Sequence, residues 1–123
     1  MPRFVMLYHE MPPESDRETH WDLMLEDDGH LLTWAISQVP GQQSTKCKRL
    51  ADHRLAYLDY EGSISNNRGI VSQYDKGEYE WVSRDNVWSV RLAGKKLCGT
   101  ITLVELTHED RDSEWSCQFV SNL

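Results

Sequence analysis

The chain has 123 residues, of which 39% are hydrophobic and 27% are charged, and its formal net charge at pH 7 is −7. This length fits one domain with one hydrophobic core, so we expect a single domain over residues 1–123. The acidity argues against a general nucleic-acid binder, because contacts with a phosphate backbone need Lys and Arg. Any nucleic-acid substrate must therefore be held locally, by a metal ion and a few arginines.

The cysteines and the apolar segments limit the setting in which the protein works. Cys47, Cys98 and Cys117 are widely spaced and form no C-x-x-C pair, which argues against a zinc knuckle. The odd number of cysteines and the lack of a signal peptide argue against a secreted disulfide scaffold. No apolar run reaches the roughly 20 residues that a membrane span needs. We therefore expect a cytoplasmic protein with reduced thiols and no membrane contact.

Short segments of strand-like sequence alternate with turn signals along the whole chain. In chain order, the predicted strands cover residues 4–9, 21–26, 31–36, 69–74, 78–83, 87–92, 100–106 and 115–120. This spacing is typical of an antiparallel β-barrel or β-sandwich. The fold is therefore predicted to be mainly β, with short strands and little helix.

The connections between these segments carry their own signals. Gly, Asp and Lys residues predict tight turns at three places: residues 27–30, 75–77 and 94–96. Asp52 is expected to cap a helical turn in a segment that ends in a bend at Gly62. Residues 47–51 fit either a strand or an irregular segment, and residues 107–114 predict a charged loop.

The segment from His20 to Glu26 alternates between two sets of side chains. In a strand, Leu23 and its odd-numbered neighbours face a core, while His20, Asp22 and Met24 face the other side. An imidazole and a carboxylate two residues apart on a rigid strand are a suitable pair of metal ligands. The segment therefore predicts part of a metal site.

Two further histidines can complete this site. His9 ends the preceding predicted strand, and with His20 and Asp22 it gives three ligands and leaves open positions for water and substrate. His53 is a fourth imidazole, which can either coordinate the metal or contact a bound anion. Mixed nitrogen and oxygen ligands suit Mn, Zn, Fe, Co or Ni better than Mg or Ca.

Three arginines are candidates for phosphate binding: Arg49, Arg54 and Arg68. A planar guanidinium can hold a phosphate through two parallel N–H bonds. An arginine is also a common surface charge, so the assignment depends on whether the fold brings these side chains to the metal site.

Taken together, these motifs resemble the 3′-phosphoesterase domain that stands at the N-terminus of bacterial DNA ligase D and also exists as small free-standing proteins. The family pattern is a strand ending in His, followed by H-Y-D-L-R-L-E, D-G-x-L-x-S-W-A, D-H-P-L-x-Y-x-x-F-E-G and G-x-V-x-x-W-D-x-G-x-Y. The matching segments here are residues 4–9, 20–26, 28–35, 52–62 and 69–79. The resemblance covers nearly the whole chain in order, which is far more specific than an H-x-D pair alone.

The resemblance implies a compact antiparallel β-barrel enzyme that uses Mn²⁺, with Zn²⁺ or Co²⁺ as alternatives. Such an enzyme processes the 3′ ends of DNA or DNA–RNA strands during end joining: it removes a terminal ribonucleoside, then the 3′-phosphate, and leaves a 3′-hydroxyl. The resemblance further implies that His9, His20 and Asp22 bind the metal, that His53 is the catalytic histidine beside the phosphate, and that Tyr57 supports it. A separate ligase or a Ku-like protein is a possible partner.

The chain departs from the family pattern in ways that weaken its expected grip on phosphate. Met24 stands where the pattern has Arg, and residues 37–41 lack the Lys of the family's P-K-G segment. The loop between His9 and His20 is also longer than is usual in the family. Unless the three arginines named above compensate, we expect activity on 3′ ends to be weakened or altered.

Two other functions fit the same residues. An H-x-D pair with a distant histidine is also the facial triad of non-haem Fe(II) oxygenases, for which oxygen uptake with iron and 2-oxoglutarate is the test. The second alternative is a non-catalytic metal-binding module that recognises DNA 3′ ends or a repair partner, and the loss of Arg at Met24 favours it. Turnover, as opposed to tight binding without turnover, separates an enzyme from such a module.

Overall fold

The computed structural model describes residues 1–108 and 112–122. The described residues form nine strands and one short 3₁₀ helix. In chain order these elements are β1 (Arg3–Glu10), β2 (His20–Asp27), β3 (His30–Ile36), β4 (Thr45–His53), the 3₁₀ helix (Leu55–Leu58), β5 (Gly62–Ser63), β6 (Ile70–Arg84), β7 (Trp88–Gly94), β8 (Cys98–Glu105) and β9 (Glu114–Ser121). No helix in the described residues has the length and apolarity that a bilayer crossing requires.

Eight of the described strands close into an antiparallel barrel. Hydrogen-bonded neighbours follow the order β1-β2-β3-β4-β9-β8-β7-β6, and β6 pairs back with β1. The two-residue β5 pairs with β6 outside this ring. Closure gives both edges of the sheet a hydrogen-bonded partner, which removes the exposed edges that favour aggregation. The prediction of a mainly β, antiparallel barrel with little helix is confirmed.

The β2–β3 hairpin shows how local sequence sets this topology. Asp28 and Gly29 form its two-residue loop with φ of +50° and +85°. Positive φ at both loop positions defines a type I′ turn, which Asp-Gly favours and whose twist matches that of the flanking strands. The tight turn predicted at residues 27–30 is confirmed, and it fixes the register of β2 against β3.

Side chains on both faces of β1 and β2 are buried. Inward-facing residues such as Phe4 and Leu23 belong to the barrel core. Outward-facing residues form a second apolar cluster, which consists of Val5, Leu7, Met24, Leu31, Leu58 and Val71. Tyr57 and Ile64, from residues 54–69, pack on this outer cluster, and we call residues 54–69 the covering segment. Each buried aliphatic side chain of this kind stabilises the fold by about 1.5–3 kcal/mol.

The turn predicted at residues 75–77 is wrong, because β6 runs through it without a break. Leu7 pairs with Gln73 and Met6 with Asp75, so Tyr74 is the extra residue of a β-bulge. Gly77 lies where β7 comes so close that a Cβ atom would stand 2.2 Å from a backbone carbonyl oxygen. Of the residues that suggested a turn, Gly77 permits this close approach, and the Asp75 carboxylate accepts hydrogen bonds from the β7–β8 turn.

Asp52 does not cap a helical turn. The 3₁₀ helix begins after Arg54, which makes no side-chain capping bond, and Asp52 lies in β4 with Oδ2 3.1 Å from His30 Nε2. Residues 47–51, for which the sequence left two alternatives, are part of the β4 strand.

In the loop predicted at residues 107–114, residues 109–111 lie outside the described residues. Its described ends meet through a hydrogen bond from Thr107 N to Glu114 O of 3.1 Å.

Asp75 holds the β7–β8 turn predicted at residues 94–96. Its carboxylate accepts backbone N–H bonds from Lys95, Lys96 and Leu97 at 3.0, 3.0 and 2.7 Å. Replacing Asp75 with Ala leaves these donors without their acceptor, so we expect the free energy of unfolding to fall by about 2 kcal/mol. Urea denaturation measures this loss. Asp85→Ala, at an exposed carboxylate, is the control and should change stability by less than about 0.5 kcal/mol; equal effects of the two would contradict the role of Asp75.

Candidate metal centre

The three predicted metal ligands converge on the outward face of β1 and β2. His9 pairs directly opposite His20 in the register, and Leu7 pairs opposite Asp22. Residues two apart on a strand share a face, so all three ligand side chains project to the same side. The ligand atoms that His9, His20 and Asp22 can offer lie within 4.8 Å of one another. The centroids of the two imidazole rings are 4.8 Å apart.

Backbone carbonyl groups fix which nitrogen of each imidazole faces the centre. His9 Nε2 lies 2.7 Å from Arg68 O, and His20 Nδ1 lies 2.8 Å from Glu18 O. A carbonyl oxygen can only accept, so these nitrogens carry the N–H and the opposite nitrogens are the free ligand atoms. His9 Nδ1 and His20 Nε2 each lie 3.0 Å from an oxygen of Asp22.

In the neutral state, two imidazole lone pairs therefore point at a carboxylate. This arrangement is repulsive unless protons or a cation lie between the groups. Asp22 and His20 are only 3% and 7% exposed. Among the described residues, His20 Nε2 and Asp22 Oδ1 are buried without a properly aligned hydrogen bond, although they lie 3.0 Å apart. A divalent cation would satisfy both atoms, and two nitrogens with one carboxylate oxygen suit Mn, Zn or Co.

The pKa values of Asp22 and His20 also indicate that this cluster favours a positive charge beside the carboxylate. Burial raises the pKa of Asp22, but the His20 and His9 imidazoles 3.0 Å from its oxygens outweigh burial and bring the pKa to about 2. Burial lowers the pKa of His20, and here too the Asp22 carboxylate outweighs it, so that the net effect raises the pKa. The Asp22 carboxylate therefore favours its ionised form, and it favours the protonated form of His20 beside it.

Gly69 allows the covering segment to reach the metal ligands. Its φ of +98° is in the left-handed region, and a Cβ atom there would lie 2.4 Å from Glu10 O and 3.1 Å from His9 Nε2. The preceding Asn66 and Asn67 also have positive φ, of 63° and 55°. The chain therefore turns sharply enough for the carbonyl of residue 68 to accept the His9 N–H.

A cavity of about 130 Å³ opens beside two of the three ligands, His9 and Asp22, whereas His20 lines a different cavity. The polar lining of the 130 Å³ cavity comes from His9, Asp22, His53, Tyr57, Arg68 and Arg17. Both residues predicted as catalytic are therefore next to the metal cluster. The His53 ring meets Tyr57 edge to face with centroids 5.6 Å apart. His53 Nδ1 lies 2.8 Å from Ala51 O, so that nitrogen carries the N–H and Nε2 is left for a ligand.

The three arginines predicted to bind phosphate occupy different places. Arg68 lines the metal-side cavity, and Arg54 lines an adjoining cavity of about 230 Å³. Arg49 lies elsewhere: its guanidinium packs 5.0–5.7 Å from the rings of Trp34, Trp88 and Trp115. Burial lowers the pKa of Arg49 despite the nearby Asp52. The fold does not bring Arg49 to the cavity.

Arg17 is a cavity residue that the sequence reasoning missed. It lies in the loop between β1 and β2, where no strand or helix periodicity predicts the direction of a side chain. The one available signal is its position as the single basic residue among residues 10–19, three residues before His20. Met24 lies at the apolar floor of the same cavity and is 1% exposed.

Comparison with known proteins assigns the chain to a family. The model of the DNA ligase D 3′-phosphoesterase domain matches residues 13–105. The chain belongs to this family. The matched residues include His20, Asp22, His53 and Tyr57, whereas His9 precedes them. The predicted resemblance is confirmed.

The relatives are much longer proteins. The chain is 34% identical over 110 residues to the multifunctional non-homologous end joining protein LigD of Pseudomonas aeruginosa, a match that covers 78% of this chain and 13% of the relative. It is 32% identical over 108 residues to the protein of the same name of Mycobacterium bovis, covering 77% of this chain and 14% of the relative. The chain thus corresponds to a small part of each relative.

Gly69→Ala should weaken metal binding without removing a ligand. The added Cβ meets the Glu10 carbonyl, so the covering segment must shift and Arg68 O moves away from His9. Loss of a hydrogen bond that orients a ligand typically costs 10- to 100-fold in metal affinity, and we expect a loss in that range for Mn²⁺. Calorimetric titration with Mn²⁺ measures it. Gly41→Ala is the matched control, because a Cβ there meets nothing within 4 Å; equal affinities of the two variants would refute the orienting role.

Metal binding should also compete with protons. The proton on His20 must leave before Nε2 can bind a metal, and the raised pKa keeps that proton to higher pH than in an ordinary histidine. The apparent affinity for Mn²⁺ is therefore expected to increase with pH between about pH 6 and pH 8, with proton release on binding. Titrations in two buffers of different ionisation enthalpy measure both quantities. An affinity that does not change over this range would contradict the assignment of His20 as a ligand.

Proposed function

We propose that this chain is a metal-dependent phosphoesterase that processes 3′ ends of DNA or DNA–RNA strands. It removes a 3′-terminal ribonucleoside and a 3′-phosphate and leaves a 3′-hydroxyl for ligation. The observation that carries the proposal is that His9 and Asp22 of the three-residue cluster line one cavity with His53 and Tyr57, in a chain of the 3′-phosphoesterase family. The relatives are named as end-joining proteins, so we propose that the chain acts in end joining, with a separate ligase or Ku-like protein as partner.

The proposed cofactor is Mn²⁺, with Zn²⁺ or Co²⁺ as alternatives. His9 Nδ1, His20 Nε2 and Asp22 would hold the ion. When bound, it supplies positive charge that polarises a phosphoryl oxygen, at a site with open coordination positions. Arg68 O and Glu18 O keep the two imidazoles in the tautomers that binding needs.

His53 is the proposed acid–base group. With its Nδ1–H directed to Ala51 O, the ring presents Nε2 to the cavity. A protonated His53 can donate from Nε2 to the leaving oxygen or to the phosphoryl group, and the neutral ring can accept that proton back. Tyr57 packs against the ring and has its hydroxyl available for the same oxygens.

A non-catalytic module that binds 3′ ends through the metal is the second candidate. The observation that favours it is Met24, which places an apolar thioether where the cavity floor meets the cluster. The family assignment and the arginines around the cavity favour a phosphate ester over the substrates of an Fe(II) oxygenase, which the same donor set also fits. Measurement of turnover separates the enzyme from the module.

Activity assays with histidine variants test the proposal. With Mn²⁺, the wild-type chain should release phosphate from a 3′-phosphate primer-template and shorten a 3′-ribonucleotide primer. His53→Ala should lower kcat by about 100-fold or more, because general acid–base catalysis contributes roughly 10²–10⁴-fold. His20→Ala should lose both Mn²⁺ binding and activity.

His108→Ala is the matched control, because the His108 side chain is 94% exposed. It should behave as wild type in both assays. Binding of Mn²⁺ and of the primer-template without any cleavage would support the non-catalytic module instead. Full activity of His53→Ala would overturn the role of His53.

A further inference from the structure

The arginines in the described part of this acidic chain fall into two groups. Four arginines lie close to carboxylates, in the pairs Arg3–Asp59, Arg49–Asp52, Arg84–Asp27 and Arg91–Glu80. Arg17, Arg54 and Arg68 pair with no carboxylate among the residues that the structure describes. All three line the metal-side cavity or the cavity that adjoins it. Unpaired guanidinium groups gathered in one place are suited to bind an anion.

The two cavities form one continuous surface around Arg68. The metal-side cavity of about 130 Å³ contains Arg17, and the adjoining cavity of about 230 Å³ contains Arg54. Tyr57, Ile64 and Arg68 line both. The unpaired arginines are thus distributed along the surface: one belongs to each cavity and one is shared.

Hydrogen bonds hold the shared arginine in place. Arg68 Nε donates to Ser65 O at 2.8 Å, and Nη2 donates to Ser65 Oγ at 3.1 Å. These bonds leave further N–H groups of the guanidinium for a ligand, since arginine has five donors. The backbone carbonyl of the same residue orients His9. Arg68 therefore joins the metal centre to both cavities.

Hydrogen bonds order the loop that carries Arg17 and attach it to the covering segment. Within the loop, the Arg17 backbone N–H donates to Ser15 Oγ at 3.1 Å. Asn67 Nδ2 of the covering segment donates to Glu14 Oε1 at 2.6 Å. Glu18, the next residue, accepts the N–H of the metal ligand His20. This loop and the covering segment therefore lie next to each other at the cavity, with Arg17 on the loop and Arg54 and Arg68 on the covering segment.

We infer that the site binds two consecutive phosphates of a polynucleotide 3′ end. The reacting phosphate lies between the metal cluster, Arg17 and Arg68, and the preceding internucleotide phosphate lies between Arg54 and Arg68 in the adjoining cavity. The inference rests on the proposed function and deepens it, because it makes the substrate a polynucleotide end and not an isolated phosphate monoester. Arg17 then supplies the cation that the apolar floor at Met24 does not.

Removal of one substrate charge together with one arginine tests this assignment. The two substrates are 3′-phosphate primer-templates that carry either a natural phosphate or an uncharged methylphosphonate immediately before the 3′-terminal nucleotide. The wild-type chain should lose about tenfold or more in kcat/KM on the methylphosphonate, as expected for a charge-assisted hydrogen bond.

The arginine variants should respond differently to the two substrates. Arg54→Ala should lose about tenfold on the natural linkage and nothing further on the methylphosphonate. Arg17→Ala should lose activity on both substrates and retain the full methylphosphonate effect. Arg91→Ala, which removes an arginine paired with Glu80, is the control and should match wild type on both. If Arg54→Ala and the methylphosphonate act additively, the second phosphate site is wrong.

Binding measurements keep this test independent of catalysis. Fluorescence anisotropy of the same labelled primer-templates, with Mn²⁺ present, should show wild type preferring the natural linkage and Arg54→Ala showing no preference. That binding result without any phosphate release would support the two-phosphate surface and overturn the phosphoesterase proposal. Phosphate release with no effect of the methylphosphonate on rate or binding would support the phosphoesterase proposal and overturn the two-phosphate surface.

Discussion

The site depends on the pairing of two imidazoles with one buried carboxylate across neighbouring strands. Antiparallel register places His9 opposite His20, and each ring is held by a backbone carbonyl that its outer N–H must satisfy. The inner nitrogens, His9 Nδ1 and His20 Nε2, each lie 3.0 Å from an oxygen of Asp22. A buried carboxylate with lone pairs on both sides requires positive charge. The proposed cation site therefore rests on the register of β1 and β2 and on the two backbone carbonyl groups.

The covering segment links the stability of the barrel to the site. Leu58 and Tyr57 pack on the outer apolar cluster, and the same segment contributes Arg68 and the carbonyl that orients His9. Burial of its apolar side chains stabilises its position by the hydrophobic effect, while Gly69 permits its close approach to the end of β1. The catalytic candidates are therefore held on an outer face of the barrel that is closed over by the chain's own loop.

Sequence alone was sufficient for the parts that strand alternation determines. His20 and Asp22 share a face because they are two residues apart, and His9 and His53 were candidates from the sequence pattern. The resemblance to a family added Tyr57 and the catalytic role of His53. Loops were the part that could not be predicted, since the direction of a loop side chain depends on tertiary contacts. Arg17 was missed for this reason. The turn prediction at residues 75–77 was wrong because Asp75 and Gly77 have other roles there: Asp75 accepts hydrogen bonds from the β7–β8 turn, and Gly77 permits a close strand approach.

Arg49 shows the limit of counting charges in a sequence. Arg49 lies two residues after Cys47 in β4, so it shares the face of the strand that points to the barrel core. Its guanidinium therefore packs on Trp rings and not at the cavity.

The central claim is that His9 and His20 present nitrogen ligands to one cation. Pulsed electron paramagnetic resonance of the Mn²⁺-loaded protein tests it directly. The account predicts coupling to two imidazole nitrogens, reduced to one in His9→Ala, whereas bound Mn²⁺ without any nitrogen coupling would contradict it.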